Sequence, residues 1–235
     1  MWAYKNANLA DVYQKLLLIV LRVNRIFEKY TFGDKKILFR LRNITRLDPY
    51  DENGPGPQRK MPDFVLDHTP TRSNEYLKMF SFNMQDACAS ILVHQFTFKN
   101  PEEGIPGDAY LKHSDKNGAC AIGYPYKKDK DGNVLRRQLN VALLNTGGRN
   151  GPFFTQYMAV NLAHYLAKLL GAPIDFRCKE KSIMHPKAWD LKPDEVRFSP
   201  CTIRSITDHL QAGHIGCLKT LEPVCGNGYL EPGEA

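Results

Sequence analysis

The chain has 235 residues, 43% of them hydrophobic and 24% charged, with a formal net charge of +7. That is ordinary globular composition, with room for one large domain or one domain and a small appendage. Nothing approaches the roughly 18 consecutive apolar residues of a membrane-spanning helix, and the apolar block Leu16 to Leu21 is too short and follows the wrong flank for a signal peptide. The basic balance, with a sequence pI near 9.0, suits anionic surfaces only where the charge clusters; a solvated basic surface is the commoner outcome.

In chain order, residues 8–29 place Val12, Leu16, Ile19, Val20, Val23 and Ile26 on one stripe, which predicts a long amphipathic helix. Residues 36–47 alternate apolar and basic side chains and read as a half-exposed strand. Two Gly-Pro steps make residues 48–63 a surface loop. A second helix is predicted over 74–92, with Tyr76, Phe80, Met84, Ala87 and Ile91 inward, followed by a Pro/Gly-rich loop over 100–108. Residues 119–126 and 134–144 read as a hairpin turning at Asp131-Gly132.

The most regular stretch is 153–175. Phe154, Tyr157, Met158, Leu162, Tyr165, Leu166, Leu169 and Leu170 recur at three- and four-residue steps, the period of a helix packed on a core. Gly171 supplies a left-handed stop and Pro173 prevents continuation. Residues 178–200 lack periodicity and read as loop, and 202–210 as a short helix capped by Thr202 or Ser199. The order αβαββα implies an α/β fold around one mixed sheet.

Six cysteines stand at 88, 120, 178, 201, 217 and 225. Their concentration in the last third predicts disulfides and an oxidising compartment. Asn43-Ile44-Thr45 is a glycosylation sequon, compatible with secretion.

The letters of the long helix resemble, in broken form, the zinc motif H-E-x-x-H-x-x-G-x-x-H, in which three His hold the metal and Glu acts as general base. Laid on that pattern, the chain offers His164, Tyr165, Lys168, Gly171 and Ile174. One imidazole does not replace three ligands, a phenol does not accept a proton from water at neutral pH, and an ammonium repels a dication. Five letters on an apolar helix also arise by chance, so the flanking sequence carries the resemblance.

There, Phe198-Ser199-Pro200-Cys201, then Cys217-Leu218, then Val224-Cys225-Gly226-Asn227-Gly228 through Glu231-Pro232-Gly233-Glu234, resemble the end of an adamalysin (ADAM, reprolysin) protease domain and the opening of a disintegrin domain. Ser182-Ile183-Met184 sits where that family has Cys-Ile-Met, which implies that Met184 is the Met-turn residue. VNRIFEKY at 23–30 and Asp86-Ala87 resemble further family segments. The implied fold is a metzincin-like mixed sheet with a long N-terminal helix and a central, formerly zinc-binding, helix. The implied domains are 1–221, protease-like, and 222–235, a linker and truncated disintegrin start. Because the chain opens on a segment that comes after the family's first strand, either it is a fragment or another segment fills that slot.

The resemblance also implies the disulfides Cys120–Cys217 and Cys178–Cys201. A third family bridge has lost both partners, with Glu180 and Ser182 in the matching places; Cys88 and Cys225 stay unassigned. The implied protein is a pseudoprotease that keeps the fold without zinc or a general base, located outside the cell as a secreted protein or an ectodomain. It is expected to need no cofactor and to bind a protein or peptide in the former substrate cleft, whose edge strand is expected near residues 119–126. The alternative is an active zinc endopeptidase with replacement ligands: His164 with His185, His209 or His214. A third reading has Lys127, Lys128, Lys130, Arg136 and Arg137 hold anionic glycans, although Asp129 and Asp131 interrupt that cluster. Nucleic acid does not suit a disulfide-bearing ectodomain, and Cys88 lacks a partner His in an identifiable protease motif. Lys168 either fills the vacated metal position, donating to His164 and Tyr165 or to Asp175, or extends to solvent.

Overall fold

The computed structural model describes residues 9–41, 77–78, 80–81, 90–94, 107–112, 117–121, 123–128, 132, 134–145, 147–148, 151–152, 155–176, 178, 180–185, 191–192, 195–213 and 216–219. Among the described residues, three long helices, a three-stranded mixed sheet and two two-stranded ladders make an α/β fold. Helix α1 is Leu9–Phe27, α2 is Thr155–Leu169 and α3 is Pro200–Gln211; the strands are β1 (Ser90–His94), β2 (Gly107–Ala109), β3 (Tyr124–Lys128), β4 (Val134–Arg137), β5 (Val141–Asn145), β6 (Gly147–Gly148) and β7 (Gly151–Pro152).

The sheet that positions the site has the order β1-β5-β2. Strand β1 runs parallel to β5, with Ser90 opposite Val141 and His94 opposite Asn145. Strand β2 runs antiparallel on the other side, with Gly107 opposite Leu144 and Ala109 opposite Ala142. Every residue of β5 is buried, as a near-continuous apolar run requires when both faces are covered. Helix α2 lies against β5 and β2, and α1 packs on α2.

Ile19, Val23, Ile26 and Phe27 of α1 enter one core with Met158, Leu162, Tyr165, Leu166 and Leu169 of α2 and Ile206 and Leu210 of α3. Phe27 is the aromatic centre, with the Phe39 and Phe198 rings each 4.8 Å away in edge-to-face contact, the geometry the ring quadrupole favours.

Helix ends obey the sequence signals. At the C-terminus of α2 the Ala172 N–H donates to the Ala167 carbonyl (2.9 Å) and the Gly171 N–H to that of Lys168 (3.0 Å), a Schellman closure that needs the left-handed φ of 104° at Gly171. At α3, Ser199 is the cap, accepting from the Thr202 N–H (3.1 Å), and Pro200 begins the helix where a missing N–H costs nothing. Thr202 is inside the helix, one turn past the cap.

Several expected boundaries are corrected. The helix expected over 74–92 does not run through: residues 77, 78, 80 and 81 are helical, but Ser90–His94 is strand, because the apolar run Ile-Leu-Val finds a parallel partner in β5. The expected strand over 134–144 is two strands. Between them, the Gln138 N–H donates to the Ser81 carbonyl (2.8 Å) and the Leu139 carbonyl accepts from Gly118 (2.7 Å), so this backbone leaves the ladder. The strand expected from 119 starts at Tyr124; residues 117–121 form a turn in which Cys120 has φ 61°. Within 36–47, residues 36–41 form neither helix nor ladder among the described residues; the Phe39 N–H and C=O are both taken by the Asn24 side chain (2.8 and 2.9 Å). The β3–β4 hairpin forms as expected. Asn43, Cys88, His214, Cys225, Lys130, Asp129, Asp131, residues 48–63 and residues 222–235 lie outside the described residues.

Candidate functional site

Burial of α2 is nearly complete around its circumference. Its outward-leaning positions are few, and two of them, His164 and Lys168, lie one turn apart on the same face. The His164 Nδ1 lies 2.7 Å from the Ile183 carbonyl oxygen. A carbonyl only accepts, so Nδ1 carries the proton and the lone pair of the neutral ring sits on Nε2. That bond also docks the segment holding Met184, which is fully buried and whose carbonyl accepts from the Asp175 N–H (2.7 Å). The segment that holds Met184 thereby orients the imidazole and fixes its tautomer.

The rest of the constellation has changed. Lys168 Nζ lies 3.0 Å from Asp108 Oδ1 on β2, with the two side chains 15% and 27% exposed. The same Asp108 oxygen accepts from the Ala109 N–H (2.8 Å). Lys168 thus neither extends freely into solvent nor donates to His164, Tyr165 or Asp175; its partner is a carboxylate 60 residues away in sequence. Asp108 falls at the end of the expected 100–108 loop, where no spacing signal could single it out.

Tyr165 is buried, its ring in edge-to-face contact with His164 at 5.1 Å, and it abuts Gly107: a Cβ at that glycine would come within 2.7 Å of Tyr165 Cε2. Burial, then the Asp108 and Tyr157 charges, hold the Tyr165 phenol well above its usual range, so it stays neutral. Ile174, at the third ligand position, is 38% exposed and offers no donor atom.

Burial pushes the His164 imidazole down to about 4; the Ile183 carbonyl opposes this, Lys168 adds to it, and Asp108 partly offsets it. Between the ordinary value near 6.5 and about 4, the unfolded chain binds a proton that the folded chain refuses. Stability should therefore fall as pH drops through that window and lose nothing further from this group below it. A His164→Gln variant, which can still donate to Ile183, is expected to remove this component, a difference on the order of 2 kcal/mol between pH 6.5 and 4 in urea midpoints.

The side chains at positions 164, 168 and 174 do not make a divalent-ion site. A catalytic zinc keeps three protein ligands and an open position, whereas here a single imidazole faces an ammonium already paired with the nearest carboxylate. Of the other expected donors, the His209 Nδ1 is bonded to the Ser205 carbonyl (2.9 Å) and its ring packs over Gly171. Among the described residues, the cluster of three His, Cys, Asp or Glu donors lying within 4.8 Å of one another is Asp175, Cys178 and Cys201, which sequence reasoning missed. Cys178 and Cys201 are bonded to each other, so they offer no thiolate, and Asp175 already accepts from the Cys178 N–H (2.7 Å) and the Ser199 hydroxyl (2.6 Å). This group buttresses the start of α3.

The second disulfide, Cys120–Cys217, ties the turn after β2 to the chain beyond α3. Both bonds join the partners that the resemblance implies. At the positions of the third family bridge, Glu180 is exposed and pairs with Arg197 (3.3 Å), and Ser182 is fully buried with no hydrogen-bond partner for its hydroxyl among the described residues. Within the basic hairpin Lys128 is exposed, whereas Arg137 is engaged. Arg137 stacks on Tyr110 (5.4 Å to the ring centroid), donates to the Tyr110 hydroxyl, and donates through Nε to Ser81 (2.7 Å).

The edge strand is also relocated. Among the described residues, β3 pairs within its own hairpin, and the terminal strand beside α2 is β2, Gly107–Ala109. The reason lies in residues 118–119, whose N–H groups go to Leu139 and to the Leu169 carbonyl (2.8 Å) and so are unavailable to the sheet.

No protein-family model matches the chain. Curated relatives do: disintegrin and metalloproteinase domain-containing protein 10 of Xenopus laevis is 22% identical across 90% of this chain, and the proteins of the same name from Homo sapiens and Bos taurus are each 24% identical across 90%. The chain spans about 29% of the length of these relatives. The homology is distant and supports a metalloprotease-like domain.

Proposed function

We propose that this chain is a metalloprotease-like domain without peptidase activity, serving as an extracellular binding module that takes an extended protein or peptide segment against β2. The observation that carries this reading is the Lys168–Asp108 ion pair at the second ligand position. A cation that is already neutralised by the neighbouring carboxylate leaves neither room nor charge for a second cation. With no metal to polarise a carbonyl and no carboxylate at position 165 to activate water, peptide hydrolysis lacks both of its agents.

What persists is the scaffold of a peptide cleft: a short terminal strand, a buried helix beneath it, and the Met184 turn. Terminal strands recognise extended segments through main-chain hydrogen bonds. Two disulfides support an oxidising, extracellular location, and no described helix is long and apolar enough to cross a membrane.

The test is metal content by plasma emission after equilibration with zinc, together with a peptidase assay. The expected result is substoichiometric zinc and no chelator-sensitive cleavage. One tightly held zinc per chain, lost in His164→Ala and accompanied by chelator-sensitive hydrolysis, overturns the reading in favour of an active zinc endopeptidase.

A further inference from the structure

We propose that Lys168 and Asp108 form a positioning pair that holds β2 against α2 in the alignment the cleft requires. The inference rests on the reading of that cleft as a binding site.

Strand β2 is poorly anchored by its own ladder. It is three residues long and pairs with β5 on one side, and ladders this short are marginal without help from packing. Its attachment to α2 runs through residue 168 twice. The Lys168 side chain holds Asp108 (3.0 Å), and the Lys168 carbonyl accepts from the Lys112 N–H (3.1 Å). The two grips are four residues apart on the β2 side, so together they fix both the sideways position of the strand and the direction in which the chain leaves it.

The carboxylate is itself oriented by the Ala109 N–H (2.8 Å), so the ammonium meets a fixed oxygen. Lys112 extends the same bracket: fully buried, its Nζ donates to the Ala119 carbonyl (2.7 Å), and the Ala119 N–H caps the Leu169 carbonyl at the end of α2. A partly buried ion pair on a fixed oxygen keeps most of its attraction, unlike a freely exposed one.

The experiment is amide hydrogen exchange on the full chain, comparing wild type with Lys168→Met, Asp108→Asn, the double variant and Lys168→Arg. In each single variant, amides of residues 107–110 are expected to exchange about tenfold faster, with those of the β3–β4 hairpin unchanged. The double variant is expected to be no faster than either single one, because both remove the same interaction, and Lys168→Arg should restore slow exchange. Unchanged exchange at β2 in both single variants, or single effects that multiply in the double, overturns the proposal. If Lys168→Met does not fold, Asp108→Asn alone decides, read against Lys168→Arg. Zinc content measured on the same samples reports separately on the inactive-protease reading, so either idea can fail without the other.

Discussion

Replacing Gly107 with alanine is expected to be among the most damaging single substitutions in the chain, destabilising it by about 4 kcal/mol or more. Gly107 opens β2 at φ 153°, and a Cβ there would lie far inside contact distance of the Leu143 carbonyl oxygen, as well as 2.7 Å from the Tyr165 ring. The oxygen belongs to the central strand and is not free to move, so alanine must push β2 off β5 or displace Tyr165 from the core. Gly132→Ala is the matched control: its φ of 84° is also left-handed, but nothing lies within 4 Å of the added carbon, so only the backbone term of roughly 1–2 kcal/mol applies. Urea unfolding of the two variants separates the effects; equal losses would show that the Leu143 contact does not govern the strand.

Tyr165→Glu restores the general-base letter of the zinc motif and is expected to destabilise the domain without conferring activity. The phenol is 5% exposed, wedged between Gly107 and His164. Truncating a buried aromatic costs about 3–5 kcal/mol, and the incoming carboxylate must lose its water near Asp108, a like charge that already raises the Tyr165 phenol. The glutamate is expected to remain protonated or to unfold the site. Urea unfolding and a peptidase assay check this; stability within about 1 kcal/mol of wild type, the range for harmless surface changes, would mean that the position faces water.

These two residues also show how far the sequence can be read. The period of α2, its Gly171 stop and the α3 cap are legible because each depends on residues within one or two turns. Ser90–His94 reads as helix from its letters because a short apolar run looks alike in either state until its partner is known, and that partner, β5, is some 50 residues away. The departures of Tyr165, Lys168 and Ile174 from the zinc motif are readable letter by letter. What replaced it is not: the Lys168 partner lies on a strand whose sequence, Gly-Asp-Ala, looks like loop, and Asp108 becomes a strand residue only because β5 offers it an antiparallel edge. The Asp175 cluster escapes sequence reasoning for a related reason, since its hydrogen bonds link a helix exit to the start of another helix 24 residues later.

The two disulfides differ in how they can be made. Cys178 and Cys201 are 23 residues apart in the chain, whereas Cys120 and Cys217 are 97 apart. Chain closure becomes rarer with length, and a nascent polypeptide leaves the ribosome from its N-terminus, so Cys120 must wait as a thiol while the hairpin, the central helix and the third helix are synthesised. Throughout that interval Cys178 and Cys201 compete with Cys217 for it, as does Cys88, and the shorter bond removes the first two of these competitors. Chain geometry thus favours an order of oxidative maturation in which the long bond closes after the short one.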